Sequence, residues 1–125
     1  MAYQNVSHHS VSLVAAGDLS AKQFCAVSVN SAGRAAIADA DDQVIGILQN
    51  NPAAGQAANV AYGGVSKAKL AGTVAAGARV TSNASGEIVA AASAGDSVIG
   101  VALTGGASGE IVSILVNPFP FAVLA

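Results

Sequence analysis

The sequence lacks several features that common functional classes depend on. Only 10% of its 125 residues are charged, none is tryptophan, and one is cysteine. An ordinary globular domain carries about 25% charged residues, so the surface of this protein must be unusually poor in charge. The length is that of one domain, which is enough to bury a core without disulfides or a metal. Such a chain packs against copies of itself or is displayed where few charges are needed.

The small number of basic residues argues against nucleic acid as a partner. The five Lys and Arg residues are scattered and the net charge is −2, whereas binding through phosphate neutralisation needs a basic face. Long apolar runs are also missing, since a membrane helix needs roughly 18–20 apolar residues and the runs here are a few residues long. Residues 1–10 lack the basic-then-apolar order of a signal peptide. We therefore predict no nucleic-acid partner, no membrane and no cleaved export signal.

Side chains that carry chemistry are few and poorly grouped. Cys25 lies in an apolar run, which favours a buried side chain over a catalytic thiol. On an extended segment His8 and His9 point in opposite directions, and no third ligand accompanies them. The acidic segment 39–42 lacks the central Gly and the closing Glu of a calcium loop. We predict that the protein is not an enzyme and has no cofactor or metal.

Short β-branched segments separated by Gly and Asn turns make up most of the chain. Strands at this spacing predict a sandwich or barrel, and the 14 glycines argue against long helices. We predict an all-β fold, a small barrel or sandwich, with a turn at Gly63-Gly64. The predicted strands are Phe24–Val29, Ala35–Ala38, Gln43–Gln49, Gln56–Tyr62, Val65–Leu70, Ala78–Thr81, Glu87–Ala91, Ser97–Leu103 and Glu110–Val116.

An internal repeat is the strongest organisational signal. Several motifs recur in the same order, so we predict one β domain over residues 15–116, made of pseudo-symmetric repeats at about 15–62 and 70–116. Glycine inside a strand indicates a bulge, a bend or a close backbone approach, and both copies have one there. The repeat also accounts for Glu87 and Glu110, which each head a strand, without a catalytic pair. The recurring motifs are Val44-Ile45-Gly46-Ile47 and Val98-Ile99-Gly100-Val101, Gly55-Gln56 and Gly109-Glu110, and Ala16-Gly17-Asp18-Leu19 and Ala71-Gly72-Thr73-Val74.

Two terminal segments lie outside the repeat. Residues 1–14 are predicted to form an N-terminal arm, and residues 117–125 an extended apolar tail. Several exposed large hydrophobic side chains are costly in water, so the tail is expected to dock on its own domain or on a neighbouring subunit. The residues we predict at interfaces are Tyr3, Val6, Val11, Leu13, Pro118, Phe119, Pro120, Phe121, Val123 and Leu124.

The order of the motifs along the chain is more specific than any one motif. In sequence they are Ala16–Phe24, Asn30–Gly33, Val44–Ile47, Gly55–Val60, Ala75–Val80, Ser97–Ala102 and Ser108–Val112. This series, over about residues 10–117, resembles the capsid decoration, or cement, proteins of tailed bacteriophages.

The resemblance implies a small β-barrel-like protein with a structural role. It implies a homotrimer on the outer surface of an assembled capsid, with the major capsid protein as partner, that reinforces the shell and performs no catalysis. It also implies that the terminal segments contact the capsid and neighbouring subunits. The location is then the virion, after synthesis in the host cytoplasm, where a lone cysteine stays reduced.

Two alternatives remain at this stage. One is another virion surface module, a tail or fibre component, which would form a rod instead of a compact trimer. The other is a lipoyl- or biotinyl-type carrier domain with Lys67 or Lys69 in a linking hairpin, although Gly63-Gly64-Val65-Ser66 lacks the acidic lead-in of such domains. An adduct in the intact mass would establish the carrier.

Overall fold

The apolar segments of the sequence become strands whose side chains alternate between two faces. The computed structural model describes residues 9–40, 42–92 and 96–116. Within these ranges the chain is all strand with no helix, as predicted, and the architecture is a curled antiparallel sheet. The strands are β1 His9–Val14, β2 Ala26–Val29, β3 Ala35–Ile37, β4 Gly46–Leu48, β5 Ala57–Lys69, β6 Arg79–Ser82, β7 Ile88–Ala90, β8 Gly100–Ala102 and β9 Ile111–Val116.

The sheet consists of two half-sheets that share the long strand β5. In the first half-sheet the order is β3-β2-β4-β5-β1, where β5 contributes residues 57–63. In the second half-sheet the order is β7-β6-β8-β9-β5, where β5 contributes residues 64–69. One strand therefore passes from one half-sheet into the other.

The prediction of a turn at Gly63-Gly64 is wrong. Both glycines lie inside β5, which runs for 13 residues. Gly64 has a φ of 89°, and the pairing with β1 shifts register at His9 and Ser10. Glycine permits this left-handed residue, so the strand bends and changes partner without ending.

The structure also places a strand where the sequence indicated an arm. Residues 9–14, part of the segment 1–14, form β1 and pair along β5 from Val14 opposite Ala57 to His9 opposite Gly63. The alternation of Ser and Val in this segment is a strand signal. The first half-sheet thereby gains an edge strand that corresponds to residues 64–69 in the second.

Strand pairing in one half-sheet corresponds closely to strand pairing in the other. We call two residues equivalent when they hold corresponding positions in the strand pairing of the two half-sheets. That the two half-sheets are repeats of one sequence unit stays a prediction. Equivalent pairs are Val27–Gly46 and Val80–Gly100, Ile47–Ala61 and Val101–Leu115, Leu48–Val60 and Ala102–Ile114, Val29–Ala35 and Ser82–Ile88, and Val11–Val60 and Ser66–Ile114.

A backbone irregularity recurs at the entry to each half-sheet. The amide of Phe24 donates to the carbonyl of Leu48 and that of Gly77 to the carbonyl of Ala102, both at 2.7 Å. Both donors have positive φ, 68° for Phe24 and 86° for Gly77. Among the described residues Phe24 is the one non-glycine with positive φ, a conformation that costs a bulky residue about 1–2 kcal/mol. Its side chain packs against the larger core cluster.

We call the face of a half-sheet that bears Val27 or its equivalent Val80 the inner face, and the opposite face the outer face. The outer face of the first half-sheet packs against the inner face of the second. The larger core cluster joins the inner face of the second half-sheet to Ala26 and Ile47 on the outer face of the first. A smaller cluster covers the inner face of the first half-sheet: Ala15, Leu19, Val27, Ala35, Leu48, Ala58 and Val60.

The predicted close approach at the strand glycines is present in both half-sheets. A Cβ on Gly46 would lie 2.1 Å from the carbonyl oxygen of Ala61, and one on Gly100 would lie 2.1 Å from that of Leu115. Both neighbours are backbone atoms, so the strands would have to separate to admit a methyl group.

We predict that Gly46→Ala and Gly100→Ala each lower the free energy of unfolding by about 3 kcal/mol or more, because of this overlap. Urea denaturation measures the loss. Gly17→Ala is the matched control, since Gly17 has no heavy atom within 4 Å of an added Cβ and no positive φ. A Gly46 or Gly100 variant as stable as the control would contradict the expectation.

Candidate assembly interface

Two of the residues predicted at interfaces fall on β1. Val11 is 39% exposed, and Leu13 is half-buried against the smaller core cluster. Both belong to the inner face of the first half-sheet, because they lie opposite Val60 and Ala58 of β5. The others lie outside the described residues: Tyr3, Val6, Pro118, Phe119, Pro120, Phe121, Val123 and Leu124.

The inner face of the first half-sheet is open at its ends. Tyr62, the next inner-face residue of β5 after Val60, remains exposed and stacks with His9, ring centroids 5.8 Å apart. Val29, at the far end of β2, is also exposed. Val11, Val29 and Tyr62 therefore present apolar surface around a cluster whose own members are buried.

A second apolar surface lies on the outer face of the second half-sheet. Leu115 on β9 is exposed between its neighbours Val65 and Val101 on the flanking strands. Leu103 follows β8 on the same face. In the described ranges the exposed large apolar side chains are Val11 39%, Val14 45%, Val29 43%, Tyr62 40%, Leu103 36%, Ile111 37% and Leu115 43%.

Of this set, sequence reasoning singled out Val11 and none of the other six. Alternation in the last strand was a usable signal, because it puts Ile111 and Leu115 on one face and the larger core residues on the other. It does not say which face is covered.

The two lysines of the carrier-domain alternative lie in a strand. Lys67 and Lys69 are inside β5, not in a hairpin turn, so the geometry that a carrier requires is not met. The ammonium of Lys67 lies 5.8 Å from the ring centroid of Phe24. Lys69 forms an ion pair with Glu87 at 3.4 Å, an exposed type of contact that contributes at most about 1 kcal/mol.

Among the other polar residues singled out in the sequence, Asp39, Asp42 and Glu110 have structural partners, whereas His8 and Asp41 lie outside the described residues. The amide of Asp39 donates to Oδ2 of Asp42 at 2.8 Å, which closes the acidic turn. Glu110 accepts the amide of Ala107 through Oε1 at 2.5 Å. In the part of the chain that the structure describes, no three His, Cys, Asp or Glu residues are grouped to hold a metal ion. Nor is any helix there long and apolar enough to cross a membrane.

Cys25 is buried, as the sequence indicated. It is 1% exposed, and burial raises the pKa of its thiol. Loss of solvation disfavours the thiolate, which is the reactive form.

These features define a strand-built protein with apolar surface on two opposed faces, and comparison with known proteins assigns its family. The model of the phage cement protein family matches residues 4–118. The chain belongs to this family and is a structural protein of the virion.

One solved structure has the same fold. It is the N base of the head fibre protein gp8.5 of bacteriophage phi29, with a TM-score of 0.68 and 15% identity. The similarity covers 88% of this chain and 94% of that one, and at this identity it concerns the fold alone. No curated protein matches the chain.

We predict that Cys25 in the folded protein reacts with a disulfide reagent about a hundredfold more slowly than in denaturant, because reaction requires local opening. Absorbance of the released thiolate gives the rate. Cys25→Ala with Ser31→Cys, an exposed turn position, should react rapidly in both conditions. Equal rates for folded and unfolded Cys25 would mean that the site opens freely.

Proposed function

We propose that this chain binds the exterior of an assembled phage capsid as a homotrimer and reinforces the shell, with the major capsid protein as its partner. The observation that carries the proposal is the match to the phage cement protein family along residues 4–118. The surface supports it as well, because the exposed apolar side chains lie on two separate faces and so provide for more than one kind of protein contact.

The physical chemistry of the surface suits reversible coating of a shell. With 10% charged residues, few ionic groups have to be desolvated when two surfaces meet. Three weak footprints held in one trimer bind together, so the trimer stays bound although each footprint alone is weak.

We predict that the purified protein co-sediments with bare, expanded capsids of its phage and saturates at a fixed number of copies per capsid. Raising the salt from about 0.1 M to about 0.5 M should change the affinity less than about threefold, because few ionic contacts are involved. Capsids already coated with the protein are the control. Absence of binding to bare expanded shells would remove the proposal.

We predict that deletion of residues 118–125 weakens trimer formation or capsid binding, because the tail holds several large apolar residues that favour a covered site. Light scattering and co-sedimentation separate the two effects. Replacing Phe119 and Phe121 by Ser keeps the length of the tail and tests its apolar character alone. A truncated protein that trimerises and coats capsids normally would take the tail out of the proposal.

The likeness to a head fibre base favours a second candidate of the same class, a module that anchors a fibre on the capsid. The two candidates differ in shape. Small-angle scattering of the protein and electron microscopy of coated capsids would show a compact knob for the cement role and a projecting rod for the fibre role.

A further inference from the structure

We propose that copies of this chain join head to tail, with the outer face of the second half-sheet of one copy covering the inner face of the first half-sheet of the next. The inference rests on the homotrimer of the proposed function and identifies the surfaces that hold it. It comes from a comparison of equivalent positions in the two half-sheets.

Within one chain the same kind of contact is already made. Ala26, Ile47 and Ala61 on the outer face of the first half-sheet have no exposed surface. Hydrogen bonds cross to the second half-sheet: Gln49 Nε2 donates to Ser66 Oγ at 2.9 Å, the amide of Ala26 to the carbonyl of Gly86 at 2.6 Å, and the amide of Lys69 to the carbonyl of Phe24 at 3.0 Å. An outer face therefore fits onto an inner face in this fold.

The equivalent outer-face positions of the second half-sheet lack a cover. Leu115 is equivalent to Ala61, and it is 43% exposed where Ala61 is fully buried. Leu103 is equivalent to Gln49, because their amides donate to the equivalent carbonyls of Ser113 and Asn59. At these two positions the outer face of the second half-sheet presents exposed apolar side chains that the first does not, although the same face also carries Lys67, Lys69 and Arg79 and its Ser113 is buried.

The inner face of the first half-sheet also has exposed positions whose equivalents in the second half-sheet are buried. Val11, Val29 and Tyr62 are exposed, whereas their equivalents in the second half-sheet are buried beneath the first. Those equivalents are Ser66 at 0%, Ser82 at 4% and Val116 at 2%. The exposed apolar side chains that remain on the inner face of the first half-sheet and on the outer face of the second therefore belong to the two kinds of face that the internal contact joins.

The side chains at the two open faces match each other in character. Where the internal contact pairs Gln49 with Ser66, the contact between copies would pair Leu103 with Val11. An apolar pair replaces a hydrogen-bonded one at this position. The same outer face also carries Lys67, Lys69 and Arg79, whose charged ends stay in water at the rim of the contact. Because different surfaces of each copy meet, the contact is heterologous, and such contacts build closed rings, of which the trimer is one.

Six of the seven exposed large apolar side chains belong to the two faces. Two provide controls: Val14, which lies on neither face, and Ile111, which lies at the far end of the face that bears Leu115. Val14 lies on the same strand as Val11 but opposite the exposed Ala57, on the outer face of the first half-sheet. Ile111 lies on the same strand as Leu115, and its equivalent Ala57 stays exposed within the chain. The proposed contact therefore leaves Val14 and Ile111 uncovered.

Charge substitutions test the two faces separately. Val11→Asp and Leu115→Asp should each raise the dissociation constant of the trimer about a hundredfold or more. Light scattering would then shift from about three times the 12.0 kDa chain mass toward one chain. Val14→Asp and Ile111→Asp should remain trimeric, and circular dichroism checks that all four variants are folded. Trimers unaffected by both Val11→Asp and Leu115→Asp would overturn the proposal.

Mixing the two disrupted variants tests the head-to-tail arrangement. The Val11→Asp copy keeps its outer face and the Leu115→Asp copy keeps its inner face, so together they should form a dimer and no ring. A two-fold contact of like surfaces would instead let one variant dimerise by itself, with no mixed dimer, and that result would overturn the proposal.

Cross-linking gives a readout that does not depend on weakened assembly. In a Cys25→Ala background, Val11→Cys with Leu103→Cys should oxidise to covalent trimers on a non-reducing gel. Val14→Cys with Leu103→Cys should give none. Links confined to single chains, or links equal in both variants, would contradict the contact.

Capsid binding separates this inference from the proposed function. If all four Asp variants are trimeric and co-sediment with capsids, the contact is wrong and the proposed function stands. If the Val11–Leu103 link forms and the trimer binds no capsid, the contact stands and the proposed function is wrong.

Discussion

The fold depends on one packing constraint, the burial of the outer face of the first half-sheet under the inner face of the second. A half-sheet of five short strands has two apolar faces and cannot cover both alone. Ile47 illustrates the gain: it is fully buried on the face that an isolated half-sheet would expose, and full burial of such a side chain contributes about 1.5–3 kcal/mol. Each half-sheet therefore depends for its stability on the apolar surface that it buries against the other.

The same constraint explains the unusual composition. Ala26 and Ala61 lie on the packed outer face on either side of Ile47 in the ladder, and the carbonyl oxygen of Ala61 leaves no room for a methyl group on the adjacent Gly46. Small side chains let the outer face of one half-sheet pack closely against the other half-sheet. Alanine and glycine are therefore frequent here for packing reasons, and the hydrophobic fraction of 53% does not imply a core of large residues.

Sequence reasoning recovered most of the fold because its signals are local. Strand positions follow from alternation and from Gly and Asn turns, which need no knowledge of the partner strand. It failed at Gly63-Gly64, where glycine signals a turn or a bulge equally well, and the outcome depends on whether neighbouring strands continue to pair. It also missed β1, although Ser and Val alternate in this segment, because the segment lies outside the repeat and was therefore assigned to an arm.

The candidate interface was less accessible to sequence reasoning, for a related reason. Val11 and Leu13 were predicted because they lie in a segment outside the repeat, and their role at an interface stays a prediction. Leu115 was missed because its sequence context is like that of any buried strand residue. Its exposure follows from which half-sheet has a cover, and that is a property of tertiary packing.

The asymmetry between the half-sheets bears on how a coat protein of this kind assembles. A chain with two equivalent half-sheets and one contact between them leaves one inner face and one outer face without a partner half-sheet. If the internal geometry is kept between chains, each added copy covers one open face and offers another, until ring closure leaves none. The closed ring then carries several equal footprints on one side, which is the arrangement that multivalent attachment to a repeating shell requires. The contact that folds the chain and the contact that assembles it are, on this reasoning, two instances of the same packing solution.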